Sequence, residues 1–355
     1  MRRLKYPLGI LAIAVCVSFL PVLAAEVSAT PTVVHPAVAG PQPVKGIAIT
    51  LDNANEVTDA QAMSTATSLF SMVSSKLHAN AVSFNFPFWQ TSSTSNDPQA
   101  APMTPSPSRL AALTEIAHRY HLAVQYRPYL YEGNLPGQAR TLIDPSNVAV
   151  WFASYWNFLQ PYLESASEAG ATSFSVALEL TSLLPYMSDW YQLVQQAKAI
   201  FPGELLYSQQ HLPQVSIPLT ARGFDAYQPI SLSSDKAVSI TAFTKGFVRN
   251  LRAREMQSAA ADITIEELGL PAVSRSYERP NYYHYAPNTK VDRVIQTDWF
   301  AGACNAFWAL HLKGIYFWAI ELNQYKPGEN DSHSIYNWLG TPTETTIEKC
   351  FARTK

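Results

Sequence analysis

The stretch Thr172-Ser173-Phe174-Ser175-Val176-Ala177-Leu178-Glu179-Leu180 alternates along its length. Phe174, Val176, Leu178 and Leu180 share one face of a strand, and Ser173, Ser175, Ala177 and Glu179 share the other. Side chains in a strand point alternately to its two faces, so one face is large and apolar and the other small or polar. An open α/β sheet is apolar on both faces. A polar face that ends in a carboxylate instead reads as the wall of a barrel lumen that opens into a site.

The neighbouring runs repeat the pattern. In 80–89, Val82, Phe84, Phe86 and Phe88 oppose Ser83, Asn85, Pro87 and Trp89. In 122–130, Ala123, Gln125, Arg127 and Tyr129 form the polar face. Further strands are expected at 45–52, 205–210, 224–230, 262–269 and 314–322. Helices are expected at 60–77, 108–120, 148–170, 188–201, 239–259, 293–312 and 343–351. Eight strands alternating with helices over about 310 residues predict a single (β/α)8 TIM barrel of the α/β class, spanning 45–355.

Two segments precede it. Arg2, Arg3 and Lys5 open the chain, an uncharged run follows from Pro7 to Ala25, and Val22-Leu23-Ala24 offers small residues for cleavage. Residues 1–25 therefore read as a secretory signal peptide, with an uncleaved anchor as the alternative, and the expected location is secreted or periplasmic. Residues 26–44 are a Pro/Thr/Val-rich tether. The whole chain has 25 Lys+Arg and 27 Asp+Glu, a net −2. Loss of the three N-terminal cations leaves 22 − 27 = −5. That balance argues against nucleic acid. Membrane contact is expected only through an uncleaved N-terminal segment. Charged residues are 15% and aromatics 12%, a balance suited to an exported monomer with a neutral ligand. Cys304 and Cys350 are read as separate buried thiols in preference to a pair. No metal-ligand spacing occurs, and no cofactor is expected.

The strand ends place Asp52, Trp89, Arg127, Glu179, Gln209, Tyr227, Glu267 and Trp318 around one mouth. Glycoside hydrolysis needs two carboxyl groups, one to protonate the leaving oxygen and one to attack or to activate water. Glu179 and Glu267 meet that need from opposite strands. A solvated structural Glu179 is the plainer reading, but its apolar neighbours make that costly. Trp89, Tyr227 and Trp318 offer apolar faces for sugar rings, with packing as the alternative. Asn85, Arg127 and Gln209 offer hydrogen bonds to hydroxyls, and Arg127 has a second reading as the counter-ion of Asp52. No Gly-x-Ser-x-Gly elbow and no phosphate-cradling glycine loop is present.

Several runs resemble, in order and spacing, glycoside hydrolase family 113, a group of clan A barrels with β-1,4-mannanase activity. They include Val176-Ala177-Leu178-Glu179-Leu180, Phe201-Pro202-Gly203-Glu204, Phe224-Asp225-Ala226-Tyr227, Glu267-Leu268-Gly269 and Gly314-Ile315-Tyr316-Phe317-Trp318. The resemblance implies a retaining hydrolase of a β-linked glycan, with Glu179 as acid/base and Glu267 as nucleophile. Two departures stand out. Leu178 occupies the place where many clan members carry Asn. Strict alternation turns Glu266, not Glu267, toward the lumen, whereas the Glu-x-Gly match favours Glu267 and is given precedence. The rival readings are a non-catalytic carbohydrate-binding barrel and a hydrolase of another exopolysaccharide or cell-wall glycan.

Overall fold

The computed structural model describes residues 42–133, 135, 139–208, 217–234, 238–252, 262–286, 288–328 and 335–354. The expected signal peptide, most of the tether, and Gln209 lie outside the described residues. Eight parallel strands appear: β1 (Val44–Thr50), β2 (Ala81–Phe88), β3 (Ala123–Leu130), β4 (Ser173–Leu178), β5 (Glu204–Ser208), β6 (Arg222–Asp225), β7 (Ile263–Leu268) and β8 (Gly314–Glu321). Seven α-helices are described: α1 (Asp59–Ser75), α2 (Pro107–Arg119), α3 (Val148–Glu168), α4 (Met187–Ile200), α5 (Ile240–Arg252), α6 (Arg293–Ala309) and α7 (Pro342–Phe351). The strands run in the order β5-β4-β3-β2-β1-β8-β7-β6. The seam between β5 and β6 is drawn together by the amides of Thr220 and Ala221, which donate to the Leu205 carbonyl, and by Ser208 Oγ, which donates to Asp225 Oδ1 at 2.6 Å. The architecture is a nearly closed (β/α)8 barrel.

Several of the helices begin where side chains satisfy the free amides of the first turn. Thr58 and Gln61 form a reciprocal capping box on α1. Ser106 caps α2 ahead of Pro107, Asn147 caps α3 and Asp292 caps α6. The outward faces of the strands pack on these helices. Phe84 stacks on Phe70 of α1 at 5.9 Å, and Phe86 and Phe88 lie against Tyr162 and Tyr155 of α3 at 4.9 and 5.1 Å. All six rings are essentially water-free, and burying each contributes about 1.5–3 kcal/mol. These contacts fix which face of β2 looks inward, and hence where Asn85 sits.

Cys304 of α6 and Cys350 of α7 form a disulfide, with Cα atoms 5.9 Å apart. This corrects the expectation of separate thiols. Spacing in sequence carried no information on the pairing, because packing of α6 against α7 is what brings the two positions together.

Candidate active site

Inside the barrel, the inward faces meet in a buried polar layer. Arg127 on β3 is fully buried. Its guanidinium donates to Asn85 Oδ1 at 2.7 Å, to Asp225 Oδ1 at 2.9 Å and to Glu267 Oε1 at 2.9 Å, and its Nε lies 3.4 Å from Glu266 Oε2. Glu266 also accepts from Ser175 Oγ at 2.6 Å and Gln125 Nε2 at 3.1 Å. One guanidinium thus serves three carboxyl groups in a dry space, which a planar fork of five donors can do. Burial alone would weaken the Arg127 cation, but the charges of Asp225, Glu267 and Glu266 outweigh it and hold the guanidinium protonated. Asp225 is pushed well above the ordinary carboxyl range, by burial first and then by the charge of Glu267. Glu266 is raised too, by burial, against the pull of Arg127.

The choice between Glu266 and Glu267 resolves through backbone irregularity. Ile265 pairs with Ile315 of β8, but the next pair is Leu268 with Phe317, and β6 slips against β7 between Phe224 and Asp225. An extra residue in a strand breaks its alternation. Glu266 therefore points into the lumen in step with Thr264, as alternation demands, and Glu267 turns inward as well, one level higher. Gly223 makes room for Glu266: a Cβ there would collide with its carboxylate.

Above this layer opens a cavity of about 580 Å3, within the range of small-ligand sites. Asp52, Tyr129, Glu132, Arg140, Leu178, Glu179, Tyr227, Glu267, Tyr283, Trp318 and Tyr336 are among its lining. The two carboxylates expected from strands four and seven thus share one cavity. Glu179 sits just past β4 in a left-handed backbone conformation, φ 55°. Such a conformation costs a residue with a side chain about 1–3 kcal/mol and gathers at functional sites. It is pinned by the Glu179 amide donating to Ser208 O at 2.7 Å and the Thr181 amide donating to Glu179 O at 2.8 Å. Tyr227 donates its hydroxyl to Glu267, and burial followed by that carboxylate's charge keeps the phenol protonated. Trp318 forms part of the wall, and its carbonyl accepts from Trp338 Nε1 at 2.8 Å.

The remaining expected residues fall elsewhere. Asn85 and Arg127 lie beneath the cavity rather than in its lining, with their polar atoms engaged by the buried layer. Arg127 is a counter-ion, but of Asp225, Glu266 and Glu267 and not of Asp52. Asp52 instead accepts from the Tyr129 hydroxyl, and burial raises its carboxyl above the usual range. Trp89 pairs its backbone with Gln99 and is absent from the cavity lining. It stands one residue past the end of β2, outside the ladder that carries the inward-facing side chains.

Sequence reasoning missed Arg140, Glu132 and Tyr129. The Arg140 guanidinium lies over the Tyr129 ring, 5.2 Å from its centroid, pairs with Glu132 at 3.1 Å, and feels the charges of Glu179 and Glu267. Burial opposes ionisation of Glu132, and Arg140 overcomes it, holding that carboxyl below its ordinary value. Tyr129 was on the polar face of its strand, a usable signal. Arg140 opens a three-residue 3-10 helix, Arg140–Leu142, too short for any periodicity to give its direction.

A barrel whose cavity is lined by one carboxylate just past β4 and another on β7 carries the two groups that glycoside hydrolysis needs. The chain belongs to glycoside hydrolase family 113, whose family model matches residues 53–341. It is a glycosidase with the equipment for polysaccharide degradation. Solved structures share the fold. A GH113 β-1,4-mannanase is 18% identical, with 88% of this chain and 100% of that one covered at TM-score 0.73. The GH113 β-mannanase AaManA from Alicyclobacillus acidocaldarius, in complex with ManMIm, is 19% identical, with 88% and 98% covered at TM-score 0.72. GH5_18 from Streptomyces cattleya, in complex with GlcNAc, is more distant at 11% identity, with 87% and 80% covered and TM-score 0.52. A search of curated proteins finds no match to the chain.

Proposed function

We propose that this glycosidase is an exported enzyme that cleaves β-1,4-linked mannan-type glycans by double displacement. The observation that carries the reading is the pair Glu179 and Glu267 lining one cavity, with Glu267 held by Arg127 and Tyr227. Contacts from a guanidinium and a phenol fix the direction of the carboxylate, and a nucleophile needs that orientation toward the reacting carbon. Glu267 attacks the anomeric carbon while Glu179 protonates the departing oxygen, giving a glycosyl-enzyme. Glu179 then takes a proton from water, which displaces Glu267 and restores the original anomeric configuration. Two carboxyl groups that act this way are held ~5–5.5 Å apart. Trp318 supplies an apolar face for a sugar ring, and Arg127 positions the nucleophile from below. The mannan assignment is supported by family membership and by the mannanase structures that share the fold. Export is supported by the Cys304–Cys350 disulfide, a bond that persists in oxidising compartments.

The test is Glu179→Gln. On β-mannan, where the leaving alcohol needs a proton, turnover is expected to fall about 10²–10⁴-fold, while on an aryl β-mannoside with a good leaving group glycosylation falls far less. Equal activity of parent and variant on mannan would refute the acid role. Proton NMR of the first product must show the β-anomer, since an α-anomer excludes a glycosyl-enzyme.

A further inference from the structure

The barrel has a seam. Among the described residues the strand order begins at β5 and ends at β6, with no ladder between the two. From β4, which leads into Glu179, to β7, which carries Glu267, the short way round passes through β5 and β6 and crosses that seam. The long way passes through β3, β2, β1 and β8. The separation of the two carboxyl groups therefore depends on what ties β5 to β6 at the level of the cavity.

The seam is tied at two levels. At the start of β5, the Thr220 and Ala221 amides donate to the Leu205 carbonyl, each at 3.2 Å, and the Leu205 amide donates to Thr220 Oγ1 at 2.7 Å. At the end of β5, Ser208 Oγ donates to Asp225 Oδ1 at 2.6 Å. Ser208 and Asp225 are both fully buried, so water does not replace that bond when it is lost. Each of the two also grips one catalytic group. The Ser208 carbonyl accepts from the Glu179 amide at 2.7 Å, which holds the left-handed backbone there. Asp225 Oδ1 and Glu267 Oε1 share the Arg127 guanidinium, at 2.9 Å each. The amide of the next residue, Ala226, donates to the Glu267 carbonyl at 2.7 Å. Asp225 Oδ2 has no partner, so its carboxyl is committed to the seam and to Arg127 through Oδ1.

We infer that Ser208 and Asp225 are positioning residues that set the separation of Glu179 and Glu267 across the seam. The inference rests on the proposed double displacement, which needs the carboxyl groups ~5–5.5 Å apart, whereas ~6.5–9.5 Å leaves room for a water between them. A misplacement of about 1 Å can cost about 10²-fold in rate. Neither Ser208 nor Asp225 is among the residues that line the cavity. Both act through the two glutamates, so loss of their bond lowers turnover and spares substrate binding.

The experiment is Ser208→Ala, which removes the hydroxyl and keeps the carbonyl that anchors Glu179. On an aryl β-mannoside, at a temperature where calorimetry shows parent and variant fully folded, kcat is expected to fall about tenfold with KM within about twofold of the parent's. The same substitution in a Glu179→Gln background is expected to cost about twofold or less, since residues that act as a unit are not additive. Ser208→Cys, close in shape and a weak donor, gives an intermediate kcat, and it carries the test if Ser208→Ala does not fold. A kcat equal to the parent's in either variant overturns the inference. So does a loss carried by KM, or a loss of the same factor in both backgrounds, which is what a merely structural serine would give. A parent inactive on β-mannan, mannotetraose and aryl β-mannoside alike refutes the hydrolase reading itself, and an active parent whose first product is the α-anomer refutes double displacement. The positioning role falls with either.

Discussion

Replacing Arg127 by Met removes the one cation that Asp225, Glu266 and Glu267 share in the barrel interior. Arg127, Asp225 and Glu266 have no side-chain exposure, and Glu267 retains 11%, so water cannot replace the lost contacts. Breaking a buried ion pair costs about 3–5 kcal/mol, a large part of the ~5–15 kcal/mol that holds a domain folded. For a barrel of this size that corresponds to a fall in melting temperature of about 6–10 °C. The loss has a pH signature. With the guanidinium gone, Asp225 and Glu266, both already raised by burial, take up protons more readily, so the deficit against the parent is smaller at about pH 4.5 than at about pH 7.5. Differential scanning calorimetry of parent and variant at both values reads it directly. Activity supplies a second readout. Glu267 loses the guanidinium that holds its Oε1 at 2.9 Å, and kcat/KM falls. Arg127→Lys keeps the charge without the fork, and it is expected to recover part of the stability because one ammonium does not reach all three partners. A melting temperature within 2 °C of the parent, about 1 kcal/mol, would refute the view of Arg127 as the organising cation. An equal deficit at both pH values would refute the electrostatic origin of the loss.

Asp225 has a folded pKa raised by burial and by Glu267, so its contribution to stability is full below the unfolded carboxyl value and is lost as pH rises toward the folded one. Asp225→Asn keeps the acceptor that Arg127 and Ser208 use at Oδ1 and cannot ionise, so its melting temperature should gain on the parent's as pH rises above the ordinary carboxyl range; a parallel pair of curves would rule the titration out. The disulfide closes a separation of 46 residues, which chain entropy values at about 4 kcal/mol. Cys304→Ser with Cys350→Ser is therefore expected to melt about 8 °C lower, and a calorimetric difference under 2 °C would mean that α6 and α7 hold together without the bond.

The sequence by itself determined the barrel and the address of its chemistry. A period of two on 80–89, 122–130 and 172–180 sorted Phe84, Phe86 and Phe174 outward and Asn85, Arg127 and Ser175 inward. That sorting is local, because consecutive side chains must alternate wherever the backbone is extended. Glu179 was legible for the same reason, as a carboxylate ending an apolar strand. What alternation left open at Glu266 and Glu267, the tertiary structure decided. Slippage of β7 against both neighbours turns both side chains inward, and slippage depends on the partners, not on the strand. The same holds for the Cys304–Cys350 bond, for the three carboxyl groups gathered around Arg127, and for the hydrogen bond that the Tyr283 hydroxyl donates to Glu132. Each joins residues separated by 46 to 151 positions. Only closure of the barrel and packing of its helices bring such residues within reach, and no local pattern encodes those distances.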